Sequence, residues 1–408
     1  MNQEQTETKR TNAAIKQEMC EDYIRQKYDF RFNVIRGLPE YRNRTTDTWH
    51  PINDYKLNSL KRELITALDL SVSAQMIKEI LSSDFAPLVN PVKLYFEKLP
   101  NHGYENAIMD MSLSVKVANK ANWFKYLQKW AVSTVANALE PYGCQNHTCL
   151  TLTGGQGKFK TTWLDLLTPP ALSEYSFTGK IDPTNKDSQT LLAECFIINI
   201  DDQLRQLNRK DENDLKELIT KPSIKYRRPY DKYIETYPRM ASFVASVNGD
   251  DFLTDHTGSR RFLPFKVLDI DINSAQEVDM NLFWAEAYSY YKRHFRYWFN
   301  HEEVQQLNVE NEQFQVITPE EQLILQFFRV PGPDYPENDY LQPAMILAEL
   351  QNRTAIRNLN TKKLGEALGR LGFQKVRKTI DGKVMGVYPV HIIRDDFRGH
   401  TEGGGDPF

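Results

Sequence analysis

Cysteine is scarce in this chain, with four residues among 408, at positions 20, 144, 149 and 195. So few thiols exclude a disulfide scaffold at this length and point to a reducing, cytoplasmic setting. Long hydrophobic runs are missing too. No apolar stretch reaches the roughly 20 residues a membrane-spanning helix needs. The polar, charged N-terminus carries no signal-peptide pattern, so no membrane partner is expected. Neither sign of charge dominates: 51 Lys and Arg stand against 54 Asp and Glu, a formal net charge of -3. That balance says little about partners, because a nucleic-acid groove can be local on an otherwise acidic surface. A structural zinc site is also absent from the pattern. Cys144, His147 and Cys149 offer three ligands where zinc wants four, and they read as ordinary loop and strand residues.

What is present is a glycine cluster in the right setting. LTLTGGQGKFKTTWL, Leu150 to Leu164, runs from a β-prone segment into Gly154, Gly155 and Gly157, then into Lys160-Thr161-Thr162 and an apolar helical stretch. Strand, tight loop and helix N-terminus, in that order, are what phosphate binding requires. A lysine supplies a mobile cation for the β/γ-phosphates, and a following hydroxyl can hold Mg2+. Against G-x-x-x-x-G-K-[ST], the match begins at Gly154 and ends at Lys160-Thr161, with Phe159 in place of the second glycine. The nucleotide-binding set is therefore Gly154, Gly155, Gln156, Gly157, Lys158, Phe159, Lys160, Thr161 and Thr162, with ATP and Mg2+ as ligands. If position 159 needs a positive φ, its phenylalanine is costly and nucleotide binding comes into question; if it needs a helical φ, the side chain need only point away from the phosphates.

Farther along, Leu191 to Ile200 reads as a buried central strand that delivers Asp201-Asp202. Asp201 is chosen for the metal and Asp202 for activating water, roles that can be exchanged. Phe243 to Val247 is a second buried strand ending at Asn248, whose amide can touch a γ-phosphate or the attacking water. Ser223 to Pro238 reads as a hairpin turned at PYD, and its cations Lys225, Arg227, Arg228 and Lys232 suit a nucleic-acid backbone. Its tyrosines can stack on bases. After a TGS turn, Arg260 and Arg261 precede an apolar strand, Phe262 to Val267, so that one arginine can face a phosphate and the other a carboxylate or a subunit boundary.

The segments divide as follows. Residues 1–30 form a flexible lead-in and 31–140 a mainly helical N-terminal region, with 36–54 as loop. Residues 141–300 form the P-loop ATPase domain, 301–317 a connecting helix, 318–393 a winged-helix-like domain and 394–408 a disordered tail. In the small domain, three helices precede a hairpin turned at Asp381-Gly382, and Lys362, Lys363, Arg370, Lys375, Arg377 and Lys378 lean toward nucleic acid.

GGQGKFKTTWL, FIINIDDQL, the helix with DLKELIT, KYRRPY, PRMASFVASVN and TGSRRFLPF, in this order, resemble the virulence-associated protein E family. Its members are P-loop ATPases of phages and mobile elements, related to primase-associated and superfamily 3 helicases. The resemblance covers about residues 30 to 300. It implies an α/β P-loop NTPase core of AAA+/superfamily 3 helicase type, set between the mainly helical N-terminal region and the winged-helix-like C-terminal domain read above. It implies Lys160 on phosphate, Thr161 and Asp201 on magnesium, Asp202 and Asn248 at the water, and one of Arg260 and Arg261 as a finger toward a neighbouring subunit's nucleotide. Family members often carry glutamate where Asp202 stands. The implied activity is ATP-driven unwinding or translocation for replication of a phage or mobile element; the alternatives are an NTP-dependent nucleic-acid switch or defence ATPase that does not unwind, and a non-catalytic DNA-binding scaffold. A ring homo-oligomer, most simply a hexamer, would thread single-stranded or forked DNA past the basic hairpin. The region ahead of the loop is too short for a full primase module, so a separate primase is an expected partner. Asp406-Pro407-Phe408 resembles the tip by which bacterial single-strand binding proteins recruit partners.

Overall fold

In the computed structural model, helix α1 (Asn12–Lys27) begins where the Thr11 hydroxyl accepts from the Ala14 N–H. The described residues are 11–100, 106–142, 145–228, 232–254, 259–337, 339–356, 358–380 and 382–393. Residues 1–10, Cys144, the PYD turn of the hairpin, Thr257-Gly258, Asp381 and the tail from 394 lie outside them. The chain divides into two compact units, Met1–Gln315 and Val316–Phe408. No described helix is long and apolar enough to cross a membrane.

After α1 the chain enters β1 (Tyr28–Asn33), pairs back antiparallel as β2 (Leu38–Asn43) and adds β3 (His50–Pro51). Residues 36–54, expected as loop, therefore hold two strands. The cause is cross-strand packing. Phe30, flanked by Tyr28, Phe32 and Tyr41, packs against the core formed with α2 (Asp54–Leu68) and α3 (Ala74–Leu81). Strand β4 (Leu88–Val89) joins β1 in parallel, and α4 (Pro91–Lys98) starts at a proline behind the Asn90 cap. Next come α5 (Ala107–Leu113), β5 (Val115–Val117) and α6 (Trp123–Leu139). Helix α6 is buried along nearly its whole length, in keeping with its apolar sequence.

The main sheet is built from β6 (Cys149–Gly154), β7 (Ser176–Gly179), β8 (Ile197–Asp201), β11 (Ser242–Asn248) and β12 (Phe262–Ile270). Between these strands lie α7 (Lys160–Leu166), α8 (Lys186–Glu194), α9 (Arg209–Thr220) and the β9 (Ser223–Tyr226)–β10 (Glu235–Pro238) hairpin. The strand order is β5-β12-β6-β11-β8-β7, with every pairing parallel except β5 with β12. This is a mixed α/β fold around a largely parallel sheet. All six residues of β6 are buried, which is why it reads as a run without alternation.

Leu191 to Ile200 is not one strand. Its first residues complete α8, the Cys195 N–H closes on the Leu191 carbonyl, and β8 starts at Ile197. A short apolar run does not separate strand from buried helix by periodicity, and here the Asn185 cap decides it.

Beyond β12 come α10 (Ile272–Glu277), α11 (Met280–Lys292) and α12 (His301–Asn311). Helix α11 ends at Lys292, where His294 takes φ 57° and the Phe295 N–H returns to the Tyr290 carbonyl. Residues 301–317, expected as a connector, mostly belong to the first unit. Leu307 joins its core and Glu310 accepts from Asn122 Nδ2 at 2.6 Å.

The second unit comprises α13 (Pro319–Phe327), β13 (Phe328–Arg329), β14 (Asp339–Leu341), α14 (Pro343–Arg353), α15 (Thr361–Arg370), β15 (Val376–Ile380) and β16 (Lys383–Ile392). Strand β16 pairs antiparallel with β13, β14 and β15, and the three helices close over a separate apolar core.

Helix α12 carries a testable charge cluster at its start. Glu303 completes a capping box with Asn300 and also accepts from Lys129 Nζ at 3.0 Å and Lys125 Nζ at 2.8 Å. Burial alone would raise its pKa, but the Lys125, Asn300 and Lys129 donors prevail and hold it at about 2. Lys129 itself is held below the usual lysine range, because its burial outweighs the carboxylate. Since the folded pKa lies below the unfolded one, the Glu303 contribution is present above about pH 4.3 and is lost as pH falls toward 2. Glu303→Gln removes the counter-charge of buried Lys129, which keeps the Trp298 carbonyl at 2.9 Å and the Phe299 ring, and should cost about 3 kcal/mol at pH 7. Urea unfolding should show that the gap to the parent narrows steadily below pH 4.

Candidate functional site

Strands β6, β8 and β11 lie in register, with Ser246 beside Asp201 and Asn248 beside Gly154. Their carboxyl ends therefore bring loop 155–159, the aspartate pair and Asn248 to one edge, where open α/β sheets bind ligands. A cleft of about 450 Å³ lies there, lined by residues 156–162, Asp201, Asp202, Ser246 and Asn248.

The loop leaves β6 at Gly154, which has φ 129° and whose added Cβ would stand 2.9 Å from the Val267 carbonyl oxygen. Glycine is required there. Phe159 has φ 55° and ψ 19°, the left-handed region, so the residue that breaks the motif sits where glycine would be unstrained. An L-residue there costs about 1–2 kcal/mol, and the ring, 53% exposed, recovers little by burial. Phe159→Gly should raise stability by about 0.5–1 kcal/mol, glycine's greater freedom in the unfolded chain offsetting part of the relief. A higher urea midpoint at unchanged slope is the expected reading; a lower one would show that the ring's contacts outweigh the strain.

The Lys160 ammonium donates to the carbonyls of Gly154 (3.0 Å) and Gly155 (2.7 Å) and to Asn248 Oδ1 (3.2 Å). Burial pulls its pKa down, Asp202 and Asp201 pull it up, and Lys158 adds to the lowering. Lys158 is committed elsewhere. Its Nζ donates to the Leu268 carbonyl at 2.7 Å, beside a bulge in the pairing of β12 with β5.

Asp201 Oδ1 accepts from Thr161 Oγ1 at 2.8 Å and from Ser246 Oγ at 2.7 Å, and the two hydroxyls are 3.1 Å apart. This compact set of hard oxygens fits Mg2+, which takes one or two carboxylates and keeps several waters. Among the described residues there is no group of three His, Cys, Asp or Glu that would favour another ion. Burial pushes the Cys149 thiol up to about 12, so it stays protonated inside β6. Asp202 takes φ 45°, and its carboxylate accepts from the Asn248 N–H at 3.1 Å. The structure thus separates the two aspartates, one on the hydroxyls and one on Asn248.

Ser246 escaped the sequence reading, although its place two residues before Asn248 puts both on one face of β11. Arg205, which donates to the Asn248 carbonyl at 3.2 Å and pairs with Asp251 at 3.1 Å, had no signal at all. Asn199 steadies α7 from β8, donating to Asp165 Oδ1 at 2.8 Å.

Arg260 and Arg261 do not join this cluster. They precede β12, whose Phe262 pairs with Cys149 at the start of β6, so they occupy the opposite end of the sheet. They line a separate cavity of about 440 Å³ with His147 and Trp298. The hairpin also rises from that end, since β10 leads directly into the start of β11. Lys225, Arg227 and Lys232 are exposed on it. Arg228 instead donates to the carbonyls of Val34 (2.8 Å) and Ile35 (2.7 Å) and lies over the Tyr237 ring, anchoring the hairpin to the segment after β1. Tyr226 and Tyr237 pack on each other, which leaves Tyr233 as the exposed tyrosine among the described hairpin residues.

Comparison with known proteins adds four findings. A model described as the virulence-associated protein E-like domain matches residues 104–316, which include every residue of the cleft. The apo structure of the NrS-1 C-terminal region (305–718) superposes with a TM-score of 0.52 at 12% identity, covering 92% of this chain and 99% of that one. A second apo form of that region gives 0.49 at 12% identity, covering 93% and 100%. At such identity the first likeness extends to the fold alone. No curated protein matches the chain. With just over half of its residues matched by that model, the chain belongs to the virulence-associated protein E-like domain family.

Proposed function

We propose that the chain is an ATP-hydrolysing DNA helicase or translocase, dependent on Mg2+, that serves replication of a phage or mobile element. The observation that carries this reading is the meeting of Lys160, the Thr161–Ser246–Asp201 cluster, Asp202 and Asn248 at one edge of the sheet. The loop is read as the P-loop of an AAA+/superfamily 3 type core, and the second unit as winged-helix-like.

Lys160 exchanges two neutral carbonyl partners for the β/γ-phosphates of ATP, a charge-assisted contact that strengthens as charge builds. Thr161 and Asp201, with Ser246 behind them, are the residues to hold Mg2+, which when bound neutralises phosphate charge. Asn248 offers its amide to the attacking water. Asp202 fixes the Asn248 backbone with one oxygen and has the other to accept the water's proton.

Arg260 and Arg261, remote from their own chain's loop, are read as serving an adjacent copy. Opposite ends of one subunit then make a head-to-tail interface, which closes into a ring, most simply a hexamer. Single-stranded or forked DNA would meet the exposed Lys225, Arg227 and Lys232. Purified protein should hydrolyse ATP, faster with single-stranded DNA, and displace a strand from a forked duplex. A folded protein inert with and without DNA would sink the reading. Arg228 favours a second reading, an ATPase switch without unwinding, because a hairpin tied to Val34 and Ile35 has less freedom to travel. Hydrolysis without strand displacement would select it.

A further inference from the structure

The nucleotide cleft is lined by residues of the first unit, and within the second unit the cations are concentrated. Residues 361–383 carry Lys362, Lys363, Arg370, Lys375, Arg377, Lys378 and Lys383 against Glu366 and Asp381, whereas acids outnumber bases over 316–360. Two of these cations have internal work. Arg370 Nε lies 2.7 Å from Glu321 Oε1, and Lys378 Nζ sits 3.1 Å from the centre of the Tyr340 ring. Lys375 lies along Gly386, where an added Cβ would come within 2.5 Å of its Cε. Lys362 and Lys363 in the first turn of α15, Arg377 on β15 and Lys383 at the start of β16 are exposed, and among the described residues no acid pairs with them.

Helix α15 has a second property that its own packing does not explain. Leu364, Ala367 and Leu368 bury its inner face. Gly365 and Gly369 stand one turn apart inside the helix, where each is less favourable than alanine. An added Cβ at either would meet nothing within 4 Å. The fold therefore does not need them small. A surface that approaches the helix backbone closely would.

We infer that the exposed side of α15 and the β15–β16 hairpin bind the backbone of double-stranded DNA, independently of the nucleotide site. A major groove about 12 Å wide admits a helix, and the glycines let this one seat deeply. Lys362, Lys363, Arg377 and Lys383 reach phosphates, contacts that position the protein without reading sequence. Duplex is favoured over single strand because α15 and β15 carry no aromatic ring on which an unpaired base could stack.

The test uses the full chain and a labelled random duplex across a salt titration. Removing all four cations (Lys362→Ala, Lys363→Ala, Arg377→Ala, Lys383→Ala) should weaken binding at least tenfold and reduce the slope of log affinity against log salt by about 3–4. ATP turnover without DNA should be unchanged, which separates this proposal from the nucleotide reading. Gly365→Ala with Gly369→Ala should raise the melting temperature yet weaken duplex binding severalfold, a combination that misfolding cannot produce. Unchanged duplex affinity and salt slope in the four-cation variant would overturn the proposal and leave the patch to an acidic protein partner. Equal losses on single-stranded DNA would overturn the duplex assignment.

Discussion

Lys160→Ala should lower ATP turnover about 10²–10³-fold, the usual cost of removing one donor from developing transition-state charge. The side chain is 5% exposed, and its ammonium already spans Gly154, Gly155 and Asn248. It therefore reaches phosphates at that edge with little further ordering, and the loss should fall mainly on kcat rather than KM. Lys160→Met, which keeps most of the stem, is the control for packing, and the two variants should be equally slow. The folded state should survive, because alanine frees two carbonyls that border an open cleft. Steady-state assays with circular dichroism in parallel decide the matter. A folded alanine variant that keeps half its turnover would remove the loop from the mechanism.

The second large effect concerns the far end of the sheet. Arg260→Ala with Arg261→Ala should reduce turnover about 10³-fold or more, as loss of an arginine finger does, although neither residue lines the cleft of its own chain. That separation gives a sharper experiment than either variant alone. Mixing the arginine variant with Lys160→Ala joins two inactive proteins, each intact where the other is broken. In a head-to-tail assembly with random mixing, roughly a quarter of the interfaces pair a working loop with working arginines. Turnover should therefore return on mixing to a similar fraction of the parent's. No recovery, from species shown by sizing to co-assemble, would mean the arginines act otherwise.

The parts of the site carried by strand ends were legible in the sequence. Gly154, Asp201 and Asn248 each end a buried apolar segment, and such segments declare themselves by composition. The loop's order of glycines, lysine and hydroxyl is local as well. Ser246 and Arg205 were not legible, because their roles depend on register between strands that are distant in sequence. Serine inside a buried strand looks like any small core residue until Asp201 is seen beside it. Arg228 misled for the same reason. Its charge is visible in the sequence, but its partners are backbone carbonyls some 190 residues earlier, and carbonyls have no sequence signature. The strands at 36–54 were missed because β2 depends on pairing with β1 and β3 on pairing with β2, whereas the helices they cover announce themselves by spacing.

Phe159 links the two levels. As a sequence feature it is a substitution in a motif. At φ 55° it is a strained link immediately before Lys160, held in a conformation that glycine would adopt without cost.

Strand β12 has one more property. It starts beside the arginine pair, and near its other end the Val267 and Leu268 carbonyls receive Lys158 from loop 155–159. Seven residue steps at about 3.3 Å separate Arg261 from Leu268, roughly 23 Å of extended chain. A strand inside a sheet neither stretches nor slips by less than a residue, and one residue of slip would invert its faces. Under the proposed head-to-tail arrangement, β12 is the ruler that sets the distance between the site a subunit owns and the site it completes. Its length, more than any contact across the interface, would then fix the repeat of the assembly.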